Sequence, residues 1–293
     1  MAAQAQRRLP EWLKVKAPGG RNYLELRQII KGGRLHTVCE EAHCPNIGEC
    51  WDRKTATFMV LGDICTRACT YCAVDTGKPL PVDALEPVRL AETVHTLGLR
   101  YVVITSVDRD DLPDGGASIF ARCISRIHKR VPDCKVEVLI PDFQGDWQTL
   151  ASVMDARPQT LNHNIETVRR VFPRVRHRGD YDLSLELLAR AKELVPNAVT
   201  KSGMMVGLGE AWDEILETMR DLRAVDCDLL TIGQYLRPSS KHTPLARWYT
   251  PDEFRELQEE GQAMGFRHVA SGPLVRSSYR ADEQHEAAIR VSV

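Results

Sequence analysis

Six of the nine cysteines in this 293-residue chain fall between Cys39 and Cys72, in two groups of three. Cys39, Cys44 and Cys50 form C-x4-C-x5-C, and Cys65, Cys69 and Cys72 form C-x3-C-x2-C. Such close spacing points to metal or redox chemistry rather than to a disulfide framework. A structural zinc ion takes four ligands, typically as a second C-x-x-C or a paired histidine motif. No such partner pair follows the second triplet. A cubane of iron and sulfide is normally held by four cysteine thiolates. Three thiolates leave one iron with an open position for a small molecule. Each triplet is therefore expected to hold a [4Fe–4S] cluster, zinc being the alternative. Cys123, Cys134 and Cys227 stand alone and read as small buried hydrophobes.

Something rigid must carry these loops. From residue 56 onward, short β-branched runs alternate with longer amphipathic stretches. The expected strands are 56–62, 101–107, 135–141, 159–167, 199–207 and 228–236. Helices are expected from Pro87 to Gly98 and over 117–130, 146–156, 183–195, 211–225 and 251–264. The strands are largely apolar and look buried on both faces, as parallel sheets require. The fold class read from this pattern is α/β, a partial (βα)6 TIM-like barrel with right-handed crossovers. A doubly wound open sheet is the rival, but the first strand is followed by no Gly-rich dinucleotide fingerprint. In a barrel, chemistry sits at the C-terminal strand ends, and the loop leaving the first strand carries Cys65, Cys69 and Cys72. Three segments are expected: an N-terminal extension over 1–55, the barrel over 56–250, and a C-terminal helix and extension over 251–293.

Charge is balanced overall, with 39 basic and 40 acidic residues, so bulk nucleic-acid binding is not indicated. No apolar run is long enough to span a bilayer, and the first twenty residues lack the apolar stretch of a secretory signal. A cytoplasmic protein without membrane or nucleic-acid partners is the expectation. The charge is unevenly spread, however. Residues 1–36 hold Arg7, Arg8, Lys14, Lys16, Arg21, Arg27, Lys31 and Arg34 against Glu11 and Glu25, a net of +6. The other residues carry 31 basic and 38 acidic groups, a net of −7. The arm reads either as a solvated surface or as a docking face for an acidic partner.

The motif C-x3-C-x2-C, with Tyr71 ahead of its last cysteine, resembles the signature of the radical S-adenosylmethionine superfamily. "GMMVGLGE" (203–210) resembles that superfamily's G-x-I-x-G-x-x-E pattern through Gly203, Met205, Gly207 and Glu210. The resemblance implies that the open iron binds S-adenosylmethionine and that one electron cleaves its sulfonium to a 5′-deoxyadenosyl radical. It also implies cofactor contacts from Tyr71, Ser106, Asn164, Glu166, Met205 and Gly207. Arg176, rather than Arg178, would meet the methionyl carboxylate.

The first triplet, the second triplet and the C-terminal "RSSYRA" (276–281) together resemble the lipoyl synthase family, as do "NHNIET", "KSGMMVGLGE" and "SGPLVRSSY". The likeness runs from about Leu9 to Ala281. It implies insertion of two sulfur atoms at C6 and C8 of an octanoyl-lysine on a lipoyl carrier protein, an E2 lipoyl domain or the glycine-cleavage H protein. The cluster on Cys39, Cys44 and Cys50 would be the sulfur donor, with Ser278 as its fourth ligand and a catalytic participant. A hard oxygen ligand is a poor match for iron–sulfur and suited to leaving. A flavodoxin or ferredoxin would donate electrons, and a cluster-assembly carrier protein would be a further partner. Another sulfur-inserting radical enzyme and a non-enzymatic metal or redox module are the competing readings.

Overall fold

A computed structural model describes residues 9–15, 17–53 and 55–290. Arg7, Arg8 and Lys16 of the basic arm lie outside the described residues.

The described residues make ten strands: β1 (His36–Thr37), β2 (Thr57–Val60), β3 (Ile64–Cys65), β4 (Asp75–Thr76), β5 (Tyr101–Ser106), β6 (Lys135–Leu139), β7 (Thr160–Asn162), β8 (Val199–Val206), β9 (Leu229–Gln234) and β10 (His268–Gly272). Eight of them join in one sheet, in the order β1-β2-β5-β6-β7-β8-β9-β10. All neighbours from β2 to β10 pair parallel, and β1 alone runs antiparallel, on the β2 edge. Every residue of β2, β7 and β9 is buried, the pattern of strands covered on both faces.

The helices are α1 (Arg21–Gly32), α2 (Val38–Glu41), α3 (Ile47–Asp52), α4 (Glu86–Leu97), α5 (Ala117–Arg130), α6 (Trp147–Asp155), α7 (Phe172–Val175), α8 (Tyr181–Leu194), α9 (Trp212–Ala224), α10 (Pro251–Ala263) and α11 (Ala281–Arg290). Their ends follow local chemistry. Pro87 lies in the first turn of α4, and Gly98 stops it at φ 63°, a left-handed conformation that glycine adopts without steric cost. Asp146 caps α6 by accepting from the amides of Gln148 and Thr149. Thr250 and Glu253 form a capping box on α10.

The sheet is curled but not closed; among the described residues its two edges do not pair. Helix α11 packs against both β5 and β10, which stand five places apart in the sheet. Flat, that distance would be about 24 Å at 4.8 Å per strand, beyond the reach of one helix about 10–12 Å across. The side chains agree, since His285 of α11 lies 5.7 Å from the ring of Tyr101 and bonds Thr160 at 3.0 Å. A buried ion pair fills the interior nearby: Lys201 donates to Glu137 at 3.0 Å, and Tyr101 donates to the same carboxylate at 2.7 Å.

Two differences from the sequence reading concern strands. The segment 268–281, expected as an irregular extension, begins with β10, a seventh parallel strand bonded to β9 over five residues. The fourth expected strand, 159–167, is regular only over Thr160–Asn162. Its ladder resumes at Glu166, which bridges Met204. Four residue steps on this strand face three on β8, so Asn164 and Ile165 form a bulge, and Glu166 follows at φ 67°. Such an extra residue re-aims side chains next to active sites.

Candidate active site

One cavity of about 780 Å³ opens at the C-terminal strand ends, and all six clustered cysteines line it. Ser278, Tyr71, Ser106, Asn164, Glu166, Arg176 and Met205 line it as well. Cys123, Cys134 and Cys227 are buried elsewhere.

The second triplet occupies the loop that follows β2. The short parallel pair of β3 and β4 closes the base of this loop, and Gly77 donates to the Cys65 carbonyl at 3.0 Å. Arg67, between Cys65 and Cys69, is buried and forms paired hydrogen bonds to Asp110 (2.8 and 2.8 Å) and to Asp142 (2.6 and 2.7 Å). The far side is held by the segment after β9. Thr243 donates its amide to the Thr70 carbonyl at 2.8 Å, and His242 Nε2 meets the Cys72 carbonyl at 2.9 Å. The cysteine loop is thus clamped before any metal is considered.

The first triplet is built from both ends of the chain. Cys39 sits on α2 and Cys50 on α3, with Cys44 between them. Asn46 donates to the Leu274 carbonyl at 2.6 Å, Tyr279 to Glu49 at 3.0 Å, and Arg280 to Glu49 at 3.1 Å. These bonds seat "RSSYRA" against the cysteine segment and bring Ser278 to the cavity. Gly233 of β9 allows the approach, because a side chain there would meet the Val275 carbonyl at 2.1 Å.

Burial pushes the Cys39 and Cys69 thiols up to about 12, and the Cys50 and Cys65 thiols up to about 11. Neighbouring Cys44 raises Cys39 further, and Asp108 raises Cys65. Thiols of this kind stay protonated near neutral pH, so binding a metal as thiolates must expel protons. Among the described residues, no three His, Cys, Asp or Glu side chains converge on one ion. A zinc ion would need its sulfurs within about 2.3 Å of a single point, whereas a cubane spreads them around four irons.

Arg276 supplies a second test of fit. It is half-buried in the cavity wall beside the Cys44 thiol, and among the described residues no carboxylate pairs with it. Burial lowers its affinity for a proton, and an unpaired buried cation is costly. A cluster bearing three thiolates and an alkoxide is anionic and would pair with it. At the other triplet, Ser106 Oγ, Asp108 Oδ1 and Asn164 Oδ1 are buried without hydrogen-bond partners, and all three residues line the cavity. Buried acceptors rarely stay unpaired, and the amine and hydroxyl groups of S-adenosylmethionine are donors that would pair with them. The residues present therefore fit both groups.

Glu166 is half-buried in the cavity wall, and desolvation raises its carboxyl despite opposing Arg176, Asn164 and Tyr71. Arg176 donates to the Asn164 carbonyl at 3.1 Å and faces the cavity. Arg178 is exposed, donating to the Thr66 carbonyl at 3.0 Å, and does not line the cavity. Gly207 does not reach the cavity wall either. It turns the chain at φ 106°, where a side chain would meet Gln234 Nε2 at 2.3 Å. Its amide and that of Leu208 both donate to Glu210, at 2.6 and 2.8 Å. Gly203 makes room for Asn164 Oδ1, which would lie 2.8 Å from an added Cβ. The glycines of this motif thus answer to packing within the protein. Asp108, Arg67, Thr57 and Arg276 were not singled out from sequence. A charged residue just past a strand end was the one available signal, and it applies to Asp108.

A model of the radical SAM superfamily matches residues 59–222. A model of the N-terminal domain of lipoyl synthase of the radical SAM family matches residues 1–44. HydG, a maturase of the [FeFe]-hydrogenase, aligns in structure over 92% of this chain and 60% of its own, with a TM-score of 0.57 and 14% identity. The fold and the three-cysteine loop thus define a radical S-adenosylmethionine protein. A lipoyl synthase of Rubrobacter xylanophilus is 59% identical over 281 residues, 96% of this chain and 88% of that one. One of Chloroflexus aggregans is 60% identical over 274 residues, 94% and 90% of the two chains. The chain belongs to the lipoyl synthase family.

Proposed function

We propose that the chain carries out the sulfur insertion of that family, adding sulfur at C6 and C8 of a protein-bound octanoyl-lysine. The observation that carries this reading is the convergence of both cysteine triplets, Ser278 and the unpaired acceptors on one cavity. Apolar side chains of Val38, Met59, Val103 and Leu139 line the same space and suit an acyl chain.

Cys65, Cys69 and Cys72 would hold the cluster that binds S-adenosylmethionine. Bound there, the cluster would supply the electron that cleaves the sulfonium and so open the octanoyl chain to hydrogen removal. Ser106, Asp108 and Asn164 would accept hydrogen bonds from the cofactor and Arg176 would meet its carboxylate, with Tyr71, Glu166 and Met205 in the wall. The second [4Fe–4S] unit, on Cys39, Cys44, Cys50 and Ser278, is the sulfur source and so a substrate. Arg276 balances its charge, and Ser278 is the ligand able to leave. Segments 1–55 and 251–293 would act together as the sulfur-donating half, and 56–250 as the radical-generating half.

The protein partners would be octanoylated carriers, an E2 lipoyl domain or the glycine-cleavage H protein. Arg21, Lys31 and Arg34 are exposed and would meet acidic groups on such carriers. A flavodoxin or ferredoxin would supply electrons, and a cluster-assembly carrier would restore the sulfur source. Among the described residues, no helix is long and apolar enough to cross a membrane.

The test is anaerobic turnover of the reconstituted protein on an octanoyl-lysine peptide, read by mass. Addition of two sulfur atoms, with 5′-deoxyadenosine released, is expected. Release of 5′-deoxyadenosine with no sulfur added would remove the sulfur-insertion reading.

A further inference from the structure

We infer that Thr57 is a positioning residue for the sulfur-source site, holding Ser278 and Cys39 in place as iron ligands. The inference rests on the reading of that site given above.

Thr57 opens β2, the strand that leads into the other cysteine loop, and is 4% exposed. Its hydroxyl donates to Ser278 Oγ at 2.7 Å across 221 residues of sequence. Its backbone amide hydrogen-bonds to Cys39. One residue thus touches a candidate ligand from each end of the chain.

The two partners differ in stiffness. Thr57 is β-branched, lies in the sheet between β1 and β5, and has restricted rotation about its Cα–Cβ bond. Ser278 lies in a turn after β10, in which Tyr279 donates to the Arg276 carbonyl, and a serine hydroxyl otherwise rotates freely. By donating its proton, Thr57 occupies one lone pair of Ser278 and leaves another for a metal. The contact therefore holds the serine oxygen in place with a lone pair left for iron.

The experiment compares Thr57→Val, Thr57→Ala, Thr57→Ser and Ser278→Ala with the parent, all reconstituted anaerobically with 57Fe. The readouts are Mössbauer spectra and the rate of iron loss from the first triplet to a chelator. Ser278→Ala should change the spectrum of the iron that carried oxygen. Thr57→Val and Thr57→Ala should shift the spectrum the same way and lose that iron about tenfold faster, the scale of one hydrogen bond to a charged group. Thr57→Ser should restore parental behaviour, which a purely structural role for the methyl group would not allow. Parental spectra and rates in Thr57→Val and Thr57→Ala, with Ser278→Ala still shifted, would overturn the role of Thr57 alone. The same holds if Thr57→Ser behaves like Thr57→Val. A parental spectrum in Ser278→Ala would overturn oxygen ligation and the proposal together.

Discussion

Replacing Arg67 with methionine should loosen the cofactor loop from within. The guanidinium is 3% exposed and satisfies both oxygens of Asp142 and of Asp110. Asp142 is itself 2% exposed, and its next cation, Arg176, lies 3.8 Å away. Burial alone would raise the Asp142 carboxyl, but the Arg67 hydrogen bonds and charge override it and hold the group at about 2. Against an unfolded value of ~3.9, that depression corresponds to about 2.5 kcal/mol at neutral pH. Because the folded value is the lower one, this stability is complete above about pH 4 and is lost as pH falls towards 2. Breaking a buried pair by removing one partner typically costs about 3–5 kcal/mol, since the other charge is left uncompensated. The two figures overlap closely enough to set the expectation at about 3 kcal/mol. Urea unfolding of the cluster-loaded variant should show that loss, and iron on Cys65, Cys69 and Cys72 should be released earlier than iron on the other triplet. Adding Asp142→Asn should recover part of the loss. A single variant within 1 kcal/mol of the parent, with no gain from the second change, would refute the reasoning.

His163 is buried, with Nδ1 on the Ile140 carbonyl and Nε2 on Ser184, and burial plus nearby Arg176 lower it to about 4. The unfolded chain binds its proton near pH 6.5, so stability is full above that value and falls by about 3 kcal/mol on approaching pH 4. Denaturation midpoints over this range should show the slope, and His163→Gln should flatten it. Gly233→Ala would place a methyl 2.1 Å from the Val275 carbonyl, at a cost of about 1–3 kcal/mol. Iron analysis should show the first triplet depleted and the second retained; equal retention would mean that the C-terminal loop seats without that gap. The exposed basic residues Arg21, Lys31 and Arg34 should make the apparent KM for an acidic carrier protein rise with salt. The KM for a short octanoyl peptide should stay constant, and parallel responses would remove the docking role of the arm.

The sequence made the strands legible where burial on both faces leaves a mostly apolar, β-branched run, as in β2 and β5. It failed at β10, where Val269 is the one fully buried residue of five and the following Gly272–Pro273 reads as a turn. It also overran β7, because a bulge at Asn164 and Ile165 has no local signature. The two cysteine groups that line the cavity were readable from spacing, since one loop or one short segment holds each triplet. Asp108 had only its place at a strand end to mark it. Arg67 and Thr57 act through partners as far as 221 residues away, and no local pattern encodes such contacts. Gly207 was marked by its motif, and in the fold its positive φ serves a turn stapled by Glu210.

The central claim is that each triplet grips a cubane by three thiolates, one with its last iron open and the other with that iron bound to Ser278. Mössbauer spectroscopy of 57Fe-loaded, oxygen-free protein, with and without S-adenosylmethionine, tests it most directly. The account predicts about eight irons per chain, with one iron of the second-triplet cluster shifting when S-adenosylmethionine is added. Zinc in place of iron, a single cluster, or spectra unmoved by S-adenosylmethionine would contradict it.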